Sequence, residues 1–151
     1  MVQSSGKQLG MTLIELMIVI LVVGVLASIS VNVYSNYVSR TRATAAVAEL
    51  DPIRSAIGVC HAELGTLTGC NSADGTVPAI LITNNITGGA SVVDGVIKAE
   101  TGANDGSGTA LTIIDKPTFV LGDAGILWTN TGTVCANHDR GLKPGFGDCP
   151  P

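Results

Sequence analysis

Lys7-Gln8-Leu9-Gly10-Met11-Thr12-Leu13-Ile14-Glu15-Leu16 leads without a break into an apolar stretch from Leu16 to Ile29. This stretch decides the fold, because it places a carboxylate where the chain enters lipid. From Met11 to about Val33 the chain is long enough to cross a bilayer as a helix, which takes about 20 residues. An ionised Asp or Glu within a span costs roughly 2.5–3.5 kcal/mol at the helix centre on the mildest scales. Glu15 therefore calls for a partner, and no nearby side chain in the sequence offers one. A cut after Gly10 would create it: the amine of Met11 would lie four residues before Glu15, about one helical turn away. On its own helix that amine only brushes the carboxylate. Between axially shifted copies the two groups meet, and the ion pair offsets desolvation and sets the stagger. The residues describe a chain made in the membrane, trimmed and stacked.

The run Gly10-Met11-Thr12-Leu13-Ile14-Glu15-Leu16-Met17-Ile18-Val19-Ile20 resembles the N-terminus of type IV prepilins. The resemblance extends to Gly24, Tyr34, Tyr37, Arg40 and Pro52, and is strong over roughly the first third of the chain. It implies that a membrane peptidase cuts between Gly10 and Met11, that the new amine is methylated, and that Glu15 drives assembly. Met11 stands where phenylalanine is commonest, a variation the family tolerates. Asn32 stands where many of these pilins carry a helix-kinking proline, which leaves an upper bend without its usual cause.

A chain of 151 residues is a one-domain prior. Charged residues make up only 13% against 46% hydrophobic, a bias owed largely to the first helix. The formal charge of -4 argues against a nucleic-acid footprint. Arg40, Arg42 and Arg54 form a short basic band, too sparse for a polyanion site. Cys60, Cys70, Cys135 and Cys149 all lie beyond the apolar run, an even count that reads as disulfides in an oxidising compartment. Four cysteines allow three connectivities; turn residues around each pair favour Cys60–Cys70 and Cys135–Cys149. A zinc reading from Cys60-His61 and from Cys135 with His138 lacks the paired short spacing of known sites. An ordinary signal peptide cut near Ser28-Ile29-Ser30 is opposed by Glu15 and by the placement of small residues.

Past the span, Ala46, Leu50, Ile53, Ile57, Cys60 and Leu64 form one helical stripe, with Arg42, Glu49, Arg54 and Ser55 opposite. Asp51-Pro52 either starts a new helix, with Asp as cap, or kinks a continuous one. The stripe keeps its phase and favours the kink. Gly65 to Pro78 reads as a loop, and Ser91 to Lys98 as a hairpin turning at Asp94-Gly95. Gly102 to Gly108 reads as a turn, Thr109–Ile114, Thr118–Leu121 and Gly125–Thr129 as strands, with a further turn at Gly122-Asp123-Ala124. Such short strands imply an antiparallel sheet whose apolar face receives the helix stripe. Asn104-Asp105-Gly106-Ser107-Gly108 has oxygen ligands of a calcium-loop sort but lacks the spacing of an EF-hand, and a plain turn is the better reading. Asn85-Ile86-Thr87 is a bare glycosylation sequon.

The resemblance and the pattern together imply an α+β, pilin-like fold. Residues 1–10 form a leader, 11–33 the membrane and filament-core half of a long helix, and 34–151 a head outside the cytoplasm. The head comprises an amphipathic helix half (34–64), a loop (65–90), an antiparallel sheet (91–135) and a C-terminal loop (135–149). That last loop resembles the disulfide-bounded, fibre-exposed loop of type IVa pilins; Arg140, Lys143 and the segment Gly141–Gly147 form either a binding edge or a stapled loop that merely protects the last strand. No catalytic constellation, cofactor motif or metal box is present in the sequence, so a non-enzymatic role is expected. Implied partners are further copies of the chain, the prepilin peptidase, the inner membrane and its assembly machinery; a host or surface receptor is unspecified. The chain would sit in the inner membrane with its head in the periplasm, then in an extracellular pilus. The implied roles are adhesion, twitching motility and DNA uptake. A type II secretion pseudopilin, a minor pilin and a non-polymerising membrane-anchored binding domain are the rival readings.

Overall fold

A computed structural model describes residues 10–119 and 125–151. Most of the expected leader, the end of the expected strand at Val120-Leu121 and the turn Gly122-Asp123-Ala124 lie outside the described residues. The chain divides into two compact units, one ending at Ser35 and one running from Asn36 to Pro151.

Helix α1 spans Leu13–Glu49. Asn32 lies inside it, and the helix carries no break there. The physical reason is simple: asparagine keeps the backbone N–H that proline would remove. In the first unit the apolar side chains of α1 are exposed throughout, from Leu13 to Val33. Two hydroxyls in this stretch are satisfied locally, Ser28 donating to the Val25 carbonyl and Ser30 to that of Leu26. Such back-bonding hides a polar group where lipid offers no partner.

In the second unit α1 continues to Glu49, and α2 follows over Asp51–Leu64. Only Leu50 separates them, and it keeps helical dihedrals (φ -87°, ψ -9°). The Arg54 N–H bonds back to the Leu50 carbonyl at 3.0 Å, so α2 resumes the ladder at once. Pro52 sits in the first turn of α2, where its missing N–H costs nothing. The interruption is thus a one-residue defect at the proline, and the capping alternative fails because no side chain caps α2. Gly65 ends α2 in the left-handed conformation (φ 68°), its N–H on the His61 carbonyl.

Four antiparallel strands follow in the order β1-β2-β3-β4: Ile86–Val93, Val96–Asn104, Ala110–Phe119 and Ile126–Asn130. A short helix, α3, spans Thr133–Ala136. Val93 pairs with Val96 across the two-residue turn, and Asp94 and Gly95 both take positive φ (47° and 74°), as a tight hairpin requires. The core joins Ala43, Ala46, Leu50, Ile53 and Ile57 of the helices to Ile86, Val92, Ile97 and Ile113 of the sheet. The sequence stripe is buried as expected, except for Leu64, which is 51% exposed.

Three boundaries differ from expectation. Strand β1 begins at Ile86, not Ser91, because its first half, Thr87-Gly88-Gly89-Ala90, carries little β-propensity. Its pairing is irregular there, and the two glycines lie against the Glu100 side chain. Gly102 belongs to β2 and not to a turn; a β-carbon there would lie 2.2 Å from the Asn84 carbonyl oxygen. Strand β3 runs unbroken through Asp115-Lys116-Pro117. Asp115 is fully buried, and Pro117 stands beyond the end of the β2 ladder at Ile97–Asp115, so its missing N–H leaves no ladder bond unmade.

Candidate functional site

In the first unit the site lies at the start of α1. Gly10, Met11 and Thr12 are non-helical and exposed, so the Gly10–Met11 bond stands clear of the helix. Glu15 occupies the first turn of α1. There its charge is favoured by the positive end of the helix dipole. The Thr12 hydroxyl accepts the Glu15 N–H at 3.3 Å, and the Thr12 carbonyl accepts the N–H groups of Glu15 (3.1 Å) and Leu16 (3.2 Å). Among the described residues, no hydrogen bond or ion pair reaches the Glu15 carboxylate. From Leu13 onward the helix is long and apolar enough to cross a membrane, with none of its most apolar 18-residue window buried. Sequence reasoning did not single out Thr12 as a cap; the signal that could have found it is the capping-box spacing Thr12-x-x-Glu15.

The second unit is organised by two disulfides and one buried cation. Cys60 is bonded to Cys70 and Cys135 to Cys149, with Cα separations of 6.0 and 5.4 Å. Bonded cysteines leave no thiolate for the zinc reading. The first bridge anchors the loop after α2. That loop is tied to the hairpin turn as well, where Asp94 accepts the Gly69 N–H (2.9 Å) and gives its own N–H to Asn71 (2.8 Å). Further on, the Glu49 carboxylate accepts from Thr83 and from the Asn85 amide, each at 2.7 Å. The sequon asparagine is thus already engaged.

Arg54, expected on the polar face of the helix, is instead only 14% exposed and holds three elements together. It donates through Nε (3.1 Å) and one terminal nitrogen to Asp115 of β3. It also bridges Asp148 of the C-terminal loop at 2.7 Å and Asp51 of its own helix at 3.4 Å. Its guanidinium lies 5.4 Å from the Trp128 ring, within cation–π range. Burial pushes the Asp115 carboxyl above the usual carboxylate range, and the hydrogen bond and charge of Arg54 pull it only partly back. For Arg54 itself burial works against the charge, but Asp115, then Asp148 and Asp51, outweigh it and hold the group above its ordinary value. Sequence reasoning missed this cluster because its members are far apart in the chain and each resembles an ordinary surface charge.

The other arginines hold the head together through carbonyls and amides. Arg40 donates to the carbonyls of His138 (2.8 Å) and Asp139 (3.1 Å), and Arg42 to that of Gly102 (3.2 Å). Arg140, expected on a binding edge, bonds the Asn104 carbonyl (2.7 Å), the Asn104 side chain (2.6 Å) and the Asn36 side chain (2.7 Å). It fastens the C-terminal loop, and the exposed part of the candidate edge narrows to Lys143-Pro144-Gly145-Phe146. Phe146 is 67% exposed. The Asn104–Gly108 segment is a turn that satisfies itself: Asp105 accepts from the Ser107 hydroxyl and N–H and from the Thr109 N–H. Those Ser107 bonds hold its carboxyl below the usual range. His61 stacks on Phe119, ring centroids 3.6 Å apart.

A membrane-length helix opening on an acid without a partner among the described residues, joined in sequence to a stapled antiparallel head, matches the arrangement that the resemblance to prepilins implies. The prokaryotic N-terminal methylation motif matches residues 5–31. The chain is 41% identical over 96 residues to a probable minor fimbrial protein of Dichelobacter nodosus, covering 64% of this chain and 60% of that one. It is 34% identical over 91 residues to the prepilin peptidase-dependent protein D of Escherichia coli K12, covering 60% and 62%. A type IV major fimbrial protein of Dichelobacter nodosus is 39% identical over 79 residues, 48% of this chain and 51% of that one. The matched stretch spans about three-fifths, or less, of these relatives' length. With the α+β fold and the methylation motif, these likenesses bear out the resemblance to the type IV pilins.

Proposed function

We propose that this chain is a structural, non-enzymatic subunit of a type IV pilus. The observation that carries the reading is the Glu15 carboxylate, set in the first turn of an exposed apolar helix and unpartnered among the described residues. In the proposed sequence the precursor is held in the inner membrane with its head in the periplasm. Prepilin peptidase cuts between Gly10 and Met11, and the new amine is methylated. Glu15 of an incoming subunit then pairs with the Met11 amine of a copy already in the fibre. The apolar helices leave lipid for a helical bundle, an exchange nearly neutral in hydrophobic terms because lipid tails are as apolar as neighbouring helices. Packing and the ion pair therefore set the direction, with work from the inner-membrane machinery. The assembled heads form the fibre surface, available for adhesion, twitching motility or DNA uptake.

Glu15→Ala tests the mechanism. The variant should be cut at Gly10–Met11 yet yield few or no fibres by electron microscopy of sheared surface material. Normal fibres from Glu15→Ala would overturn the reading.

A further inference from the structure

The C-terminal loop carries a further partner surface. The inference rests on the pilus-subunit reading above, because it concerns the precursor in its membrane. We propose that Arg40, Lys143 and Phe146 form a docking site for the headgroup of an anionic phospholipid, which holds the head of the precursor against the bilayer until assembly.

The site is a cavity of about 350 Å³ lined by Arg40, Thr44, Leu142, Lys143 and Phe146, with two cations and no carboxylate on its walls. Neither cation forms an ion pair among the described residues, where each salt bridge belongs to Arg54. Asp139 and Asp148 flank the loop without lining the cavity, and Asp148 is taken by Arg54. The charges stand on fixed backbone. One terminal nitrogen of Arg40 is tied to the His138 and Asp139 carbonyls. Lys143 and Phe146 are the two ends of a tight turn, in which the Phe146 N–H donates to the Lys143 carbonyl at 3.0 Å. Pro144 and Gly145 (φ 78°) form its centre, the residues a type II turn prefers. The Cys149 N–H returns to the Phe146 carbonyl at 3.2 Å, which holds the turn beside the Cys135–Cys149 bridge. An exposed ring beside cations suits a headgroup layer: the ring enters the acyl boundary and the cations meet phosphate. Position singles out lipid among anions. Tyr37 lies three residues before Arg40 on the same face of α1 and is 67% exposed. Tyrosine concentrates at the membrane–water boundary, and the apolar run ends just before it, at Val33. An anionic leaflet attracts Lys and Arg held near its surface. A headgroup phosphate there supplies the counter-charge that the head itself does not give Arg40 and Lys143.

The test follows the full-length, unassembled chain in nanodiscs of phosphatidylcholine with increasing phosphatidylglycerol. The readout is broadening of the Lys143, Gly145 and Phe146 amide signals by a lipid that carries a spin label on its headgroup. Broadening should rise with phosphatidylglycerol and fall with added salt. The Lys143 side chain makes no hydrogen bond or ion pair among the described residues, so Lys143→Gln leaves the fold intact. It should raise the phosphatidylglycerol content needed for half-maximal broadening about fivefold, the weight of one basic side chain at an anionic surface. Phe146→Ser should raise it as well. Equal broadening in phosphatidylcholine alone, or an unchanged dependence in Lys143→Gln, overturns the docking site. Amides that shift with short duplex DNA but ignore phosphatidylglycerol would assign the pocket to nucleic acid and overturn it too. Fibre formation stays outside this readout, so the two claims fail separately. Normal fibres from Glu15→Ala remove the pilus-subunit reading; a lipid-blind loop in a chain that still assembles removes the docking site alone.

Discussion

At the scale of single residues, one cation against three carboxylates governs the head. Arg54 touches Asp51, Asp115 and Asp148, and Asp115 is fully buried. Removing one partner of a buried pair costs about 3–5 kcal/mol, because the other charge is left uncompensated. Arg54→Met should therefore lower the unfolding free energy of the head by about that amount at neutral pH, read by chemical denaturation. The cost should depend on pH in a defined direction. The Asp115 carboxyl is already raised by burial, and losing Arg54 removes what pulls it down. A carboxyl raised in the folded state stabilises the fold fully below its unfolded value, and that contribution is lost as pH rises through the folded value. The deficit of Arg54→Met should therefore shrink as the solution is acidified through the raised Asp115 value. A deficit that is flat or grows in acid contradicts this account of Asp115.

At the scale of elements, local pattern and distant partner had different legibility. The apolar run, the helix stripe and the Asp94-Gly95 turn are written in neighbouring residues, and the structure has them where the periodicity places them. The continuity of β3 was not legible, because Asp115-Lys116-Pro117 reads locally as a break. What keeps Asp115 in a strand is Arg54, 61 residues away in the chain. The partners of Arg140 were not legible for the same reason: a loop arginine between turn residues resembles an exposed charge until the Asn104 turn is folded against it. Close backbone approach is likewise invisible in sequence. A β-carbon on Gly132 would lie 2.0 Å from the Thr112 carbonyl oxygen and 2.8 Å from the Ile113 Cα, both backbone atoms. Gly132→Ala should therefore push α3 away from β3 and destabilise the head by about 1–3 kcal/mol or more, as overpacking does. Thermal unfolding of the variant checks this; an unchanged midpoint would mean that the α3–β3 approach is looser than described.

At the scale of the whole molecule, each of the two units has its own stabilising logic. The head depends on a modest core and two disulfides that close chain separations of 10 and 14 residues. Loops of that size are worth about 3 kcal/mol each in the chain-entropy model. Replacing either pair by serine should therefore cost a similar amount, and the first pair should also loosen the loop that Asp94 and Asn71 fasten to the hairpin. Denaturant midpoints of the two double variants test the equality; a markedly smaller effect for one pair would show that its loop is held by other contacts. Among its described residues the N-terminal unit buries no apolar side chain, and an exposed helix apolar all round calls for lipid or other helices around it. In the proposed function trimming and stacking meet that need, and both depend on a cut at the Gly10–Met11 bond. The most direct test is mass spectrometry and N-terminal sequencing of this chain recovered from sheared surface filaments. The prediction is a chain that begins at N-methylated Met11. Filaments containing the chain with its first ten residues still attached, or cut near Ser28–Ser30, would contradict it.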